Sequence, residues 1–163
     1  NSLPITDKRE YKLNTLIFTT EDNSNENLLL FENELNLENK NLKKYKNTYL
    51  VLLSNDARRI KLGQKVLDYK SEIINDQKKR FEDLQIIDEV KFQTLADEIN
   101  SFDVVHPCIG ENFSFLNSIR KKRNLELNFV LSEEDKFSWQ FSNKGFFNFK
   151  NNIPKILTNF NLQ

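Results

Sequence analysis

The chain has 163 residues, a length that fits one domain and leaves little room for two. Its 24 lysines and arginines balance 24 aspartates and glutamates, so net charge does not support nucleic-acid binding, and it removes one defence against self-association. No segment approaches the roughly 18 apolar residues of a membrane span. The single cysteine excludes an intrachain disulfide, and the charged first ten residues are unlike a signal peptide. Together these features predict a cytoplasmic protein without a membrane partner.

After a lead-in over residues 1–12, short apolar runs alternate with longer charged segments. Five runs have the length and composition of strands: Leu13–Thr20, Thr48–Ser54, Leu84–Asp88, Phe102–Pro107 and Glu126–Leu131. This order predicts an α/β domain, Rossmann-like or flavodoxin-like, with a mainly parallel sheet of about five strands and helices on both faces. Thr48–Ser54 is apolar on both faces and is predicted to be central, whereas Leu84–Asp88 is predicted to lie at an edge.

The segments between these runs have helical spacing of their apolar residues. Helices are predicted over Leu28–Asn39, over Ala57–Asp83, from about Phe92 to Ile99, and over Glu111–Arg123. Asn55 and Asp56 are expected to cap the long second helix, with Gly63 separating its first turn from the rest.

The last part of the chain is rich in aromatic residues and lacks a regular period. A helix is predicted from about Ser132 to Phe141, followed by irregular chain. The predicted domain therefore covers residues 13–145, with an aromatic carboxyl-terminal segment, residues 146–163, packed on it.

Sites in open α/β sheets lie beyond the carboxyl ends of the strands. His106, Pro107 and Cys108 follow the fourth predicted strand and precede the helix that begins near Glu111. A Cys–His pair suggests a nucleophile and its base, but residues close in sequence rarely point at each other, so a ligand-lining or structural role is favoured over catalysis. No catalytic residue and no metal site is predicted. The chain has three glycines, too few to form a glycine-rich phosphate loop.

One motif keeps an enzymatic alternative open. Glu89-Val90-Lys91 follows an apolar run, as Glu-x-Lys does in Mg²⁺-dependent nucleases of the PD-(D/E)xK kind. Asp76 or Asp83 is the upstream carboxylate in that hypothesis, although both lie outside predicted strands.

Several segments together resemble one family. They are LNTLIFTT, then TYLVLLS before a long basic helix, then LQIID, VVHP and VLSEEDKFSW over Val130–Trp139. In order and spacing they resemble the amino-terminal α/β domain of the photolyase/cryptochrome superfamily, most closely its bacterial photolyase-related branch. The first run differs, since Thr20-Glu21-Asp22 stands where the family has Gly-Asp-Gln or Pro-x-Gln.

The resemblance implies an antenna-type domain without the separate helical domain that carries the family's flavin and repair chemistry. It also implies a cleft for a pterin, deazaflavin or lumazine chromophore near Glu21, Asp22, Ser54, Asn55 and His106. The favoured function is thus a non-catalytic binding or interaction module for a planar chromophore, a nucleotide-like ligand or a protein partner. A nuclease using Glu89 and Lys91 and a structural subunit of a larger assembly are the alternatives; the identity of any cofactor and the oligomeric state stay open.

Overall fold

The computed structural model describes residues 25–34, 37, 42–131, 133–142 and 145–161. The strands are β1 (Asn27–Phe31), β2 (Asn47–Val51), β3 (Leu84–Ile87), β4 (Ser101–Val105) and β5 (Glu126–Val130). The helices are α1 (Gln64–Arg80), α2 (Glu89–Glu98), α3 (Glu111–Arg123), α4 (Glu133–Trp139) and α5 (Phe146–Asn159), with a 3₁₀ turn over Leu42–Lys44. Among the helices in these ranges, we find none with the length and apolar character that crossing a bilayer requires.

The five strands form one sheet in the order β3-β2-β1-β4-β5, and all of its pairings are parallel. Parallel strands need crossover connections, and α1, α2 and α3 provide three of them. The predicted α/β layered class is confirmed. Strand β3 lies at an edge and β2 in the interior, as their sequences predict.

Both faces of the sheet are buried under helices. Side chains of a strand alternate between faces, so Leu28 and Leu30 of β1 join a core with Ile74 of α1, whereas Leu29 and Phe31 pack on the opposite side. That opposite core includes residues of α2 and α3: Phe92, Ala96, Leu116 and Ile119. We call the two sides the α1 face and the α2–α3 face. Burial of a large apolar side chain contributes roughly 1.5–3 kcal/mol, so these two cores are the main source of stability.

The central strand lies where a helix is predicted. Residues 28–31 of the predicted helix Leu28–Asn39 belong to β1, which pairs with both β2 and β4. The helix prediction is therefore wrong at its start. Leu28, Phe31 and Leu35 have helical spacing, but four consecutive apolar residues buried on both faces satisfy a strand better. The strand predicted over Leu13–Thr20 lies outside the described residues.

The long basic helix starts later than its cap signal predicts. Gly63 is the residue before α1, and Asn55 and Asp56 lie in the preceding loop, so the cap prediction is wrong. Asn55 instead closes that loop, because its side chain accepts from the Leu62 N–H and donates to the Leu62 carbonyl, both at 2.9 Å. The amide therefore bonds two backbone groups of the loop and is not available to cap a helix.

The helices α2 and α3 agree closely with prediction. Asp88 caps α2 by accepting from the Lys91 N–H at 2.7 Å. Helix α3 covers the predicted range and ends at Asn124, which has a left-handed conformation with φ of 51° and donates its N–H to the Arg120 carbonyl. Asparagine tolerates that conformation better than most residues, which explains a helix end without glycine.

The expected irregular carboxyl-terminal chain is wrong, because Phe146–Asn159 forms α5. Phe137 of α4 contacts Phe160 with ring centroids 5.6 Å apart, and Asn148 donates to the Phe141 carbonyl at 2.7 Å. Phe146 and Phe147 are exposed, so not all of these aromatics are packed. The domain boundary at residue 145 stays a prediction.

Candidate functional site

The sheet reverses its winding between β1 and β4. The chain runs from β1 to β2 and β3 in one direction, then crosses to β4 and continues to β5 on the other side. In such sheets the connections after the two central strands leave in opposite directions, which opens a crevice beyond their carboxyl ends. Glu32 and Asn33 follow β1, and His106 and Pro107 follow β4. We call this place the switch point.

The predicted ligand residues are divided by the fold. Ser54 and Asn55 follow β2, His106 follows β4, and Glu21 and Asp22 lie outside the described residues. Strand β1 separates β2 from β4, so the strands that carry Ser54 and His106 are about 10 Å apart. All three described residues lie at the predicted edge of the sheet, but they do not form one cluster.

Ser54 binds a carboxylate of the neighbouring helix. Its backbone N–H donates to Glu89 Oε2 at 3.0 Å, and its hydroxyl donates to Glu89 Oε1. Burial pushes the pKa of Glu89 up, but the two Ser54 hydrogen bonds, aided by the Arg58 charge, bring the pKa below its ordinary value. Glu89 is thus an ionised anchor for the loop after β2.

A buried ion pair lies at the end of β1. Arg58 Nη2 is 2.5 Å from Glu32 Oε1, and the two side chains are 6% and 1% exposed. Lys70 of α1 approaches the same oxygen at 3.6 Å. Arg58 also donates through Nε and Nη2 to the Leu53 carbonyl, at 3.2 and 3.1 Å. The pair therefore joins the loop after β2 to the end of β1.

Sequence reasoning missed Glu32 because it assigned this segment to a helix. The available signal was the run Leu28–Phe31, which is wholly apolar and flanked on both sides by asparagine and glutamate. A short apolar run bounded by polar residues is typical of a buried parallel strand, and its next residue lies at the carboxyl edge.

The first turn of α3 contacts the loops that follow β1 and β2 at the switch point. Glu111 Oε1 accepts from the backbone N–H groups of Arg59 and Ile60, each at 3.1 Å. Asn112 Nδ2 donates to Asn33 Oδ1 at 2.9 Å. The loops after β1 and β2 and the start of α3 therefore meet at one junction.

Three acceptor oxygens at this junction are buried and have no hydrogen-bond donor among the described residues: Glu32 Oε2, Glu111 Oε2 and Asn112 Oδ1. A buried polar group left unpaired costs roughly 1–3 kcal/mol. A bound molecule with N–H or O–H groups would satisfy such oxygens, whereas a purely apolar molecule would not.

His106 lies in an aromatic cage at the end of β4. Its ring centroid is 5.4 Å from that of Phe113, 5.1 Å from Phe129 and 5.8 Å from Trp139. Nδ1 accepts the Cys108 N–H at 3.1 Å, so the neutral ring carries its proton on Nε2. Burial lowers the pKa of His106, because the charged form loses hydration in this cage.

The Glu-x-Lys motif has a different local structure from the one that a nuclease needs. Glu89, Val90 and Lys91 form the first turn of α2, and residues two apart on a helix point about 200° away from each other. Within the part of the chain that the structure describes, no three His, Cys, Asp or Glu side chains are grouped as metal ligands. The nuclease hypothesis gains no support from this geometry.

Comparison of the chain with protein-family models, with curated proteins and with solved structures finds no match. The resemblance to the photolyase/cryptochrome superfamily therefore stays a hypothesis that rests on sequence pattern.

Proposed function

We propose that this domain is a non-catalytic binding module that holds a small planar ligand at the switch point. The observation that carries the proposal is the group of three buried acceptor oxygens on Glu32, Glu111 and Asn112. They lie at the edge of a parallel sheet where ligands of α/β domains bind, on elements that the fold brings together from distant parts of the chain.

The oxygens define the chemistry of the ligand. All three are acceptors, so the ligand presents hydrogen-bond donors, as the amino and ring N–H groups of a nucleobase-like or pterin-like heterocycle do. A planar molecule of this kind agrees with the antenna-type domain that the sequence resemblance implies. With one cysteine and no disulfide, the module is proposed to act in the cytoplasm.

Two measurements on the purified protein test the proposal. Native mass spectrometry and absorbance beyond the tyrosine and tryptophan band are expected to reveal a co-purified heterocycle, or added pterins and nucleobases are expected to raise the melting temperature. The variant Asn112→Leu removes one acceptor and is expected to weaken binding about tenfold.

The matched control is Asn117→Leu, five residues further along the same helix and about 7.5 Å away along its axis. It is expected to bind as the unaltered protein does. A protein that carries no ligand and responds to none of these compounds contradicts the proposal, as does equal loss of binding in both variants.

A further inference from the structure

A cavity lies at the end of the sheet opposite to the switch point. It has a volume of about 400 Å³ and opens on the α1 face, between the 3₁₀ turn and the end of α1. Thr48 and Leu84, near the amino ends of β2 and β3, form part of its lining. Small-molecule sites typically measure about 300–1,000 Å³, so the cavity has the size of a ligand site. Its residues are separate from those of the switch point.

Two aromatic rings line this cavity. Tyr45 and Phe81 are each half-buried and come from the two segments that border it. The Tyr45 hydroxyl donates to Asp103 Oδ2 at 2.8 Å, and Asp103 is 1% exposed. This hydrogen bond to a buried residue fixes the orientation of the Tyr45 ring. A flat ring held in a fixed orientation is a suitable stacking surface for an aromatic ligand.

The surroundings of the cavity are positively charged. Lys43, Lys46 and Arg80 line it, and Lys44 Nζ lies 5.2 Å from the centre of the Tyr45 ring. Lys78 and Lys79 belong to the same last helical turn as Arg80. These cations outnumber the nearby carboxylates, Glu82 and Asp83 in the lining and Glu26, which pairs with Lys46 at 3.3 Å. Lysine and arginine side chains are thus concentrated around this cavity, although the net charge of the whole chain is zero.

Two features oppose an anion here. The carboxyl end of a helix carries partial negative charge, and two carboxylates lie in the lining. Lys78 Nζ, in the last turn of α1, donates to the Glu82 carbonyl just beyond the helix, so one of the cations lies close to this negative helix end. Lys43 and Lys46 come from the other border of the cavity, away from the helix end, so they are the groups best placed for an anion.

We infer that this cavity binds a phosphate-bearing aromatic molecule of the mononucleotide class. Its ring stacks on Tyr45 and Phe81, and its phosphate pairs with Lys43 and Lys46. The limited volume of the cavity favours a single nucleotide over a nucleic-acid strand, which would need a groove that continues over several bases. Cations with adjacent aromatic rings are the combination that recognises such ligands.

Calorimetric titration of the full chain with AMP, adenosine and inorganic phosphate tests the inference. AMP is expected to bind, each of its halves at least about tenfold more weakly, and added salt is expected to weaken AMP binding. The double variant Lys43→Gln/Lys46→Gln is expected to lose about tenfold or more in AMP affinity.

The control Lys121→Gln/Lys122→Gln makes the same charge change at two exposed residues of α3, on the other face of the sheet, and is expected to leave affinity unchanged. Absence of AMP binding, unaltered affinity in the first double variant, equal loss in both, or binding of an oligonucleotide without AMP binding would each overturn the inference. Asn112→Leu is expected to leave AMP binding intact, which separates this site from the switch point.

Discussion

The two ends of the sheet use charged side chains in opposite ways. At the carboxyl end, Glu32 and Arg58 are almost fully buried and bond to each other across two loops. At the amino end, Lys46 and Glu26 form a pair that is 71% and 65% exposed, above a cavity. Because the first pair is buried, removing either partner would leave the other charge in the interior with neither a counter-charge nor water. The stability of the fold therefore depends on both partners. The solvated charges of the second end are free to recognise a ligand at little cost to stability.

The largest difference between the two ends is expected from Glu32→Gln. The change leaves Arg58 buried without its counter-charge, and the free energy of unfolding should fall by about 3–5 kcal/mol. Urea denaturation monitored by circular dichroism measures it. Glu26→Gln at the exposed pair is the control and should cost at most about 1 kcal/mol. Equal losses in the two variants would show that burial does not distinguish the ends.

Asp103→Asn tests whether the buried hydrogen bonds of Asp103, next to the cavity, stabilise the amino end of the sheet. Asp103 accepts from Asn25 Nδ2 at 2.8 Å and Asn128 Nδ2 at 2.9 Å, as well as from the Tyr45 hydroxyl. An asparagine in its place replaces one acceptor oxygen by an NH2 group that faces a donor. The lost hydrogen bond should cost about 1–3 kcal/mol of unfolding free energy.

The control for Asp103→Asn is Asp97→Asn, which removes a carboxylate that pairs with Arg123 at 2.6 Å and is 60% exposed. The same denaturation measurement should give a loss below about 1 kcal/mol. If Asp103→Asn costs no more than this control, the buried network does not hold the amino end.

A smaller effect, which depends on pH, is expected at His106. Burial lowers its pKa below the ordinary 6.5. Between the lowered value and 6.5 the unfolded chain binds the proton more readily, so the stability that neutral His106 contributes is complete above 6.5 and lost as pH falls through this window. His106→Phe fits the aromatic cage and should remove this part of the pH dependence.

Because His106 is the only histidine, the imidazole C–H signals in the NMR spectrum belong to it alone, and their titration reports its pKa directly. A folded-state pKa at or above 6.5, or identical pH dependence of unfolding in His106→Phe, would show that the cage does not exclude the charged ring.

The local pattern of the sequence carries enough information for α2, α3 and strands β2 to β5, because their apolar spacing agrees with the tertiary structure. At β1 the two disagree. The spacing of Leu28, Phe31 and Leu35 fits a helix, yet the segment pairs with strands on both sides. The hydrogen bonds of β1 are made with β2 and β4, which are distant in sequence. The local spacing of apolar residues therefore does not predict them.

The candidate site follows the same division. Placement of Ser54 and His106 at the carboxyl edge is readable from the sequence, since each follows an apolar run. The partnership of Glu32 with Arg58 is not, nor is that of Glu111 with the loop N–H groups. Each joins residues more than 25 positions apart, and only the strand order decides which loops become neighbours.

Alternation of apolar runs and charged helices thus determines a layered parallel sheet, because each element must bury its own apolar side. The order of the strands, the position of the reversal, and the buried ion pair at one end of the sheet with the exposed cations at the other come from the tertiary structure. They depend on contacts between distant segments, whose energies no short stretch of sequence contains.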